Sequence, residues 1–143
     1  MQQFPRIIID TNVLVAALRS RRGWSFKLLS QAGRGHFEHV LTVPLLMEYE
    51  DVLLRPDMVP ITAAAVHDVL DYLCVTAQLQ PVHFLWRPQL PDAKDDMVLE
   101  AAVNGRCTCI VTWNVRDFVP ARRFAIKVTD PARFLQQLPE VQP

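Results

Sequence analysis

The chain has 143 residues, 15 Lys and Arg against 15 Asp and Glu, and a hydrophobic fraction of 50%. This length suits one domain, and the apolar content excludes intrinsic disorder. Its three cysteines form no CxxC pair, no apolar run approaches the roughly 20 residues of a membrane span, and the N-terminus lacks a signal-peptide pattern, so we expect a cytoplasmic protein with no membrane association.

Apolar segments alternate with amphipathic segments along the chain. The first, Arg6–Ile9, is a short apolar run after a proline, which is typical of a strand buried on both faces. The predicted strands are residues 6–9, 37–42, 82–86, 107–112 and 125–128. The predicted helices are residues 13–18, 24–31, 43–54, 62 to between 74 and 78, 95–104 and 131–137. This alternation predicts a layered α/β domain with a mostly parallel sheet.

Several classes of enzyme lack their motifs in this sequence. The four glycines form neither GxGxxG nor GxxxxGK[ST], so the phosphate-binding turn of Rossmann and P-loop proteins is missing. No serine lies in GxSxG and no histidine in HExxH. The closest histidine pair, His36 and His39, is expected in a loop or on the surface. Hydride transfer, nucleotide hydrolysis and serine or thiol hydrolysis are therefore disfavoured.

The carboxylates follow a more informative pattern. Asp10 comes directly after the first predicted strand, and open parallel sheets bind ligands outside the carboxyl ends of their strands. The alternative for Asp10 is simple capping of the next helix. Glu48 lies near the apolar face of its predicted helix, where a carboxylate must be paired, hydrogen-bonded or metal-bound. An ion pair with a buried arginine is the alternative for Glu48.

More acids lie near the same predicted edge of the sheet. Asp92, Asp95 and Asp96 begin a predicted helix, where negative charge also compensates the helix dipole. Asp117 follows the strand that ends at Thr112. Carboxylates gathered in one crevice repel one another, and their hard oxygen atoms favour Mg²⁺ or Mn²⁺ over zinc. A magnesium ion held in this way suits phosphodiester hydrolysis.

Four segments together resemble the PIN-domain family of metal-dependent ribonucleases. They are DTNVLVAAL after the first predicted strand, the helix containing Glu48, the acidic segment leading into LEAAV, and TWNVRDF after a later strand. Within that family the chain is similar to compact prokaryotic members that are toxin components of toxin–antitoxin pairs. The similarity extends from about residue 6 to residue 134, which predicts one PIN domain over residues 1–143.

The resemblance implies a three-layer α/β/α fold and Mg²⁺- or Mn²⁺-dependent cleavage of single-stranded RNA. The acidic quartet would be Asp10, Glu48, Asp96 and Asp117, with Asp92 or Asp95 as an auxiliary acid. The hydrogen-bonding supports would be Asn12, Thr112 and Asn114. A small antitoxin protein and a second copy of the chain in a homodimer are the partners implied.

Arginine supplies twelve of the fifteen basic residues, and its planar guanidinium binds phosphate in bidentate fashion. Six arginines near the predicted acids are candidates for contacting the RNA backbone: Arg19, Arg21, Arg22, Arg116, Arg122 and Arg123. Solvated surface charge is the alternative for these side chains. A non-catalytic PIN-like module that binds RNA or protein is the alternative function. A haloacid-type phosphotransferase is disfavoured because Asn12, not a second Asp, follows Asp10 at the DxD spacing.

Overall fold

The computed structural model describes residues 4–83 and 88–138, which are organised around a five-stranded parallel sheet. The strands are β1 (Arg6–Ile9), β2 (Glu38–Leu41), β3 (Gln78–Leu79), β4 (Cys109–Val111) and β5 (Lys127–Thr129). Their order in the sheet is β3-β2-β1-β4-β5. Helices flank the sheet, which confirms the predicted α/β/α fold.

Helices form most of the connections between strands. They are α1 (Thr11–Arg19), α2 (Trp24–Gln31), α3 (Val43–Leu53), α4 (Ala63–Thr76), α5 (Ala93–Asn104) and α6 (Pro131–Gln136), with a 3₁₀ segment at Val115–Phe124. Helix α1 packs on α2, α2 packs on α6, and α5 contacts β1, β2 and β4. Within the described part of the chain, no helix is both long and apolar enough to cross a membrane.

The centre of the sheet positions the candidate site. Strand β1 lies between β2 and β4, and the side chains of Ile7, Ile8 and Ile9 are buried on both faces. Beyond the end of β1, the backbone N–H of Asp10 donates a 2.9 Å hydrogen bond to the carbonyl of Val111 in β4. Because β1 and β4 are parallel, the residues that follow them lie side by side at one edge of the sheet.

Side chains that cap helices account for two shifts from the predicted boundaries. Helix α1 begins at Thr11 and not at residue 13, because Asp10 caps it through the N–H of Thr11. Helix α5 begins at Ala93 and not at residue 95, because Asp92 accepts a hydrogen bond from the N–H of Lys94.

The third predicted strand, residues 82–86, is wrong at its first two residues. The observed β3 is Gln78–Leu79, which pairs with Val40 and Leu41 of β2 directly after α4 ends. Residues 82 and 83 belong to no strand, and residues 84–86 lie outside the described residues. Both β3 side chains are exposed and only Leu79 is apolar, so this two-residue edge strand is too short to show the apolar pattern on which a strand prediction depends.

His39 is buried and not on the surface as the sequence predicts. It lies in β2 opposite Ile7, with 2% of its area exposed, and its Nε2 lies 2.8 Å from the hydroxyl oxygen of Thr76. Burial lowers the pKa of His39 from 6.5 to about 4, because the charged imidazolium loses its hydration. His39 is therefore a neutral core residue at physiological pH.

Candidate active site

Asp10 is a buried carboxylate of the candidate site, and both of its oxygens accept hydrogen bonds. One oxygen, Oδ1, accepts a 2.8 Å hydrogen bond from the N–H of Thr11, and the other, Oδ2, accepts a 2.7 Å bond from the hydroxyl of Thr112. Only 6% of the residue is exposed. Helix capping and a role in the site were the alternatives predicted from the sequence for Asp10. The structure shows that Oδ1 caps α1, while Oδ2 binds Thr112 at the end of β4.

The electrostatic environment of Asp10 disfavours its charge. Burial raises the pKa of this carboxyl group above its ordinary value, and the like charges of Asp117 and Glu48 raise it further. The hydrogen bonds from Thr112 and Thr11 act in the opposite direction because they stabilise the carboxylate. The charges of Glu48 and Asp117 therefore act on Asp10, and their common role in one site stays a prediction.

A turn after β4 connects the predicted supporting residues. The side-chain amide of Asn12 donates to Thr112 Oγ1 at 3.3 Å, and its carbonyl oxygen accepts from the N–H of Trp113 at 3.2 Å. The N–H of Asn114 also donates to Thr112 Oγ1, at 3.0 Å. Asn12 thus supports Asp10 indirectly, by fixing the threonine that binds the carboxylate.

Glu48 has a cation beside it. Its side chain is 12% exposed, and Glu48 Oε1 lies 4.0 Å from Nζ of Lys94, whose side chain is 54% exposed. The alternative predicted from the sequence was an ion pair between Glu48 and a buried arginine. The observed partner is a lysine in the first turn of α5, so Glu48 and α5 meet at the acidic edge.

The three acids at the start of α5 have different surroundings. Asp96 is buried, and its Oδ1 accepts the N–H groups of Gln89 and Leu90 at 2.9 and 3.2 Å. Asp95 is partly exposed. Desolvation, followed by the like charges of Asp10, Asp92 and Asp117, raises the pKa of Asp95 to about 6.

These surroundings favour Asp95 over Asp96 for the third position of the acidic quartet. The negative charges of Asp10 and Asp117 contribute to the raised pKa of Asp95. Asp96 instead accepts hydrogen bonds from the backbone of residues 89 and 90, and its charge contributes to the raised pKa of Glu100, one turn along α5. Asp92, the predicted auxiliary acid, caps α5 and is exposed. The sequence pattern favoured Asp96, whose Oδ1 instead holds the backbone that leads into α5.

Asp117 is the exposed member of the group. It lies in the first turn of the 3₁₀ segment, where its N–H donates to the carbonyl of Asn114 at 3.0 Å. Its charge raises the pKa of both Asp10 and Asp95. We call Asp10 and Asp95, together with Glu48 and Asp117, whose charges raise the pKa of one or both, the acidic cluster.

The donor chemistry of the acidic cluster fits a hard divalent cation. All four groups are carboxylates, and desolvation together with neighbouring like charges raises the pKa values of Asp10 and Asp95, a cost that a bound cation would offset. Within residues 4–83 and 88–138, no three acid, histidine or cysteine side chains lie close enough together to hold one ion. The cluster thus has the donor set of a magnesium site without its coordination geometry.

Comparison with known proteins identifies the family. Residues 6–116 match the PIN domain. The chain belongs to the PIN-domain family. No curated protein sequence matches it. Its structure is similar to a chain in the crystal structure of VapBC2 from Rickettsia felis bound to a DNA fragment from their promoter, with a TM-score of 0.60 and 12% identity over 87% of this chain and 98% of the other. That likeness shows the fold.

Two of the arginines proposed to bind RNA lie on an open surface of the PIN domain. Arg21 and Arg22 line a surface cavity of about 440 Å³ together with Trp24 at the start of α2. Arg19 instead bonds within the protein, since its Nε donates to the carbonyl of Met58 at 2.8 Å. Both arginines of the loop after α1 are therefore accessible to a ligand, whereas Arg19, the last residue of α1, contacts Met58.

The remaining three arginines lie along the 3₁₀ segment. Arg116 is exposed and adjacent to Asp117. The segment carries the chain from the carboxyl end of β4 to the amino end of β5, so Arg122 and Arg123 lie towards the opposite edge of the sheet. Arg122 lines a cavity of about 800 Å³ along β5 whose lining includes none of the acidic cluster. The placement supports a role near the acids for Arg116 among these three.

Three residues near the acids of the PIN domain escape sequence reasoning. The hydroxyl of buried Tyr49 donates to the carbonyl of Ile9, which ties α3 to the end of β1 beside Glu48. Lys94 pairs with Glu48, and Trp113 bonds to a serine 88 positions away. Tyr49 could have been found in the sequence, because it lies on the apolar face of its predicted helix next to Glu48. The contacts of Lys94 and Trp113 could not, because they depend on distant parts of the chain.

Proposed function

We propose that this PIN domain is an endoribonuclease that hydrolyses phosphodiester bonds of single-stranded RNA with the help of Mg²⁺ or Mn²⁺. The observation that carries the proposal is the acidic cluster, in which desolvation and, after it, the charges of neighbouring carboxylates raise the pKa values of Asp10 and Asp95. Buried like charges are costly, and a bound cation compensates that cost. A module that only binds RNA has no need for such repulsion beside a polyanion.

Asp10, Glu48, Asp95 and Asp117 would hold the ion, with Asp96 as the alternative to Asp95. A divalent ion in such a site activates a water molecule and stabilises the charge that develops on the phosphate. Thr112 and the N–H of Thr11 hold both oxygens of Asp10 in one orientation, which preorganises this ligand. Asn12 fixes Thr112, and Asn114 is the further supporting residue.

The remaining charges assist substrate binding. Lys94 lies beside Glu48 with half of its side chain exposed, where its ammonium group can contact a phosphate. Arg21, Arg22 and Arg116 would bind phosphates of the RNA backbone. The support for Arg19, Arg122 and Arg123 is weaker. These cations offset the negative potential of the acidic cluster towards RNA.

The biological setting proposed is a toxin–antitoxin pair in the cytoplasm. The support is the resemblance to compact toxin members and the fold shared with a chain of the VapBC2 complex. A small antitoxin protein would then be the partner that holds the nuclease inactive, and a homodimer is a further expectation. A non-catalytic PIN module is the competing function that the following experiment excludes or supports.

The test is a cleavage assay with purified protein and labelled oligonucleotides of one sequence as single-stranded RNA, duplex RNA and single-stranded DNA. We expect cleavage of the single-stranded RNA when Mg²⁺ or Mn²⁺ is added. We expect no cleavage with EDTA or in buffer without an added divalent metal. Binding of RNA without cleavage in any divalent metal would instead support the non-catalytic module. Cleavage that persists in EDTA would contradict the metal-dependent mechanism.

A further inference from the structure

Trp113 is an exposed aromatic residue fixed at the edge of the acidic cluster. It follows β4 directly, between Thr112 and Asn114, and 43% of the residue is exposed. Its indole N–H donates a 2.7 Å hydrogen bond to the hydroxyl of Ser25 in α2. Ser25 itself is 2% exposed, so a buried hydroxyl orients an indole whose ring is open to solvent.

The backbone of Trp113 is fixed as well. Its N–H donates to Oδ1 of Asn12 at 3.2 Å, and Asn12 also holds Thr112, the hydroxyl donor to Asp10. Two anchors from different helices, α1 and α2, therefore set the position and the tilt of the ring. A tryptophan whose role is only packing would bury its ring, since aromatic side chains contribute to stability mainly by burial.

We propose that Trp113 is the platform on which one base of the RNA substrate stacks, next to the phosphate held at the acidic cluster. This inference rests on the proposed ribonuclease function and adds a substrate-positioning residue to it. Every base has a flat face that stacks on an aromatic ring, so such a platform accepts single strands with little sequence preference. It also disfavours duplex RNA, whose bases are already stacked and paired.

The platform continues towards a basic surface. Ser25, the anchor of the indole, is adjacent in α2 to Trp24, which lines the surface cavity together with Arg21 and Arg22. A strand that stacks on Trp113 can extend its phosphates over these guanidinium groups. Aromatic stacking combined with cationic contacts to the backbone is the combination that single-strand-binding proteins use.

The test combines variants of the protein with a modified RNA. Trp113→Leu keeps an apolar side chain but removes the aromatic face, Trp113→Phe keeps a smaller ring without the indole N–H, and Ser25→Ala releases the indole. Phe4→Ala is the matched control, because Phe4 is 39% exposed and precedes β1 at the opposite edge of the sheet. Each protein is assayed for kcat/KM on an RNA and on copies with one abasic nucleotide near the cleavage point.

For the wild-type protein and Phe4→Ala, we expect one abasic position to lower kcat/KM about 5- to 150-fold, the loss that corresponds to one base stack. Trp113→Leu should lower kcat/KM on the intact RNA by a similar factor and show no further loss at that abasic position. Trp113→Phe should restore part of the rate, and Ser25→Ala should have an intermediate effect. A purely structural role of Trp113 would leave the abasic penalty unchanged in Trp113→Leu, and that result would overturn the proposal.

Failure of the ribonuclease function is distinguishable from failure of the platform. If the wild-type protein binds the RNA without cleaving it, the same abasic comparison is made on dissociation constants, and a penalty lost in Trp113→Leu still supports the platform. If the wild-type protein cleaves but Trp113→Leu cleaves equally well, only the platform is overturned. If the protein neither cleaves nor binds single-stranded RNA, both proposals are overturned.

Discussion

The hydroxyl of Thr112 donates a 2.7 Å hydrogen bond to Oδ2 of Asp10, joining residues 102 positions apart in the sequence. The bond links the ends of two parallel strands at the edge where the acidic cluster lies. It also lowers the pKa of a carboxyl group that burial and neighbouring charges raise. Asp10 therefore depends on Thr112 for both its orientation and its charge.

Thr112→Val tests this dependence, because valine has the shape of threonine without the hydroxyl. We expect the unfolding free energy to fall by about 2 kcal/mol, since a buried carboxylate loses a charge-assisted bond and two other donors lose their acceptor. Metal-dependent cleavage should fall about 10- to 100-fold, as for other groups that hold a ligand. Thr112→Ser, which keeps the hydroxyl, is the control, and equal losses in both variants would show that the methyl group matters as much as the hydrogen bond.

Asp95→Asn and Asp96→Asn should change stability in opposite directions. Above pH 6 the Asp95 carboxylate is repelled by its neighbours, so its neutral isostere should raise the Tm of the metal-free protein. Asp96 accepts two backbone N–H groups through one oxygen, and replacing its carboxylate should lower the unfolding free energy by about 1 kcal/mol. Thermal unfolding in EDTA at pH 7.5 measures both, and a lower Tm for both variants would argue that Asp95 also has a structural role.

The pH dependence of stability should report His39. Its pKa is about 4 in the folded protein and 6.5 as the ordinary value, so the unfolded chain binds the proton more readily. The unfolding free energy is therefore unaffected by protonation of His39 above pH 6.5. It falls as the pH drops from 6.5 towards 4, by roughly 3 kcal/mol over that range.

His39→Gln removes this titration while keeping a polar group near Thr76. We expect its unfolding free energy to vary less between pH 4 and pH 6.5 than that of the wild-type protein, as measured by urea denaturation at several pH values. His67→Gln is the control, because His67 is exposed. Parallel pH profiles for wild type and His39→Gln would mean that the buried imidazole does not resist protonation.

Lys94 should compete with the divalent ion for Glu48. Its ammonium nitrogen lies 4.0 Å from a carboxylate oxygen of Glu48, so a cation that binds there is repelled or must displace the lysine side chain. We expect Lys94→Gln to bind Mn²⁺ up to about fivefold more tightly, the range of a partly exposed ion pair. Calorimetric titration measures the affinity, with Lys127→Gln on β5 as the control, and weaker binding by Lys94→Gln would contradict this competition.

The positions of Asp10, Thr112 and Asp117 could be predicted from the sequence because each follows a strand that is apolar enough to recognise. Parallel strands bring their carboxyl ends to one edge of the sheet, so the positions of these three residues follow from topology alone. The choice between Asp95 and Asp96 does not. Adjacent residues in the first turn of a helix point in directions about 100° apart, and which one faces the acids depends on the backbone at residues 89 and 90.

Other features depend on contacts between distant segments. The bond from Trp113 to Ser25 spans 88 positions, and β3 is defined by its pairing with β2 and not by its own side chains. The burial of His39 follows from its place in a central strand, where even a polar residue is covered by α4. Local patterns predict strands and helices, but they carry little information about such partners.

Asp117→Asn is the variant that tests the account most directly. Asp117 is exposed, so its isosteric replacement should leave the Tm within a few degrees of the wild-type value or raise it slightly by relieving repulsion on Asp10 and Asp95. The measurement is the single-turnover rate of cleavage of a single-stranded RNA in saturating Mn²⁺, beside Asp68→Asn, an exposed acid on α4 that serves as the control. We predict a loss of at least about 100-fold for Asp117→Asn and no loss for Asp68→Asn, since Asp117 is the proposed ligand of the ion and Asp68 is not. A folded Asp117→Asn variant that cleaves RNA as fast as the wild-type protein would contradict the assignment of the acidic cluster as the active site.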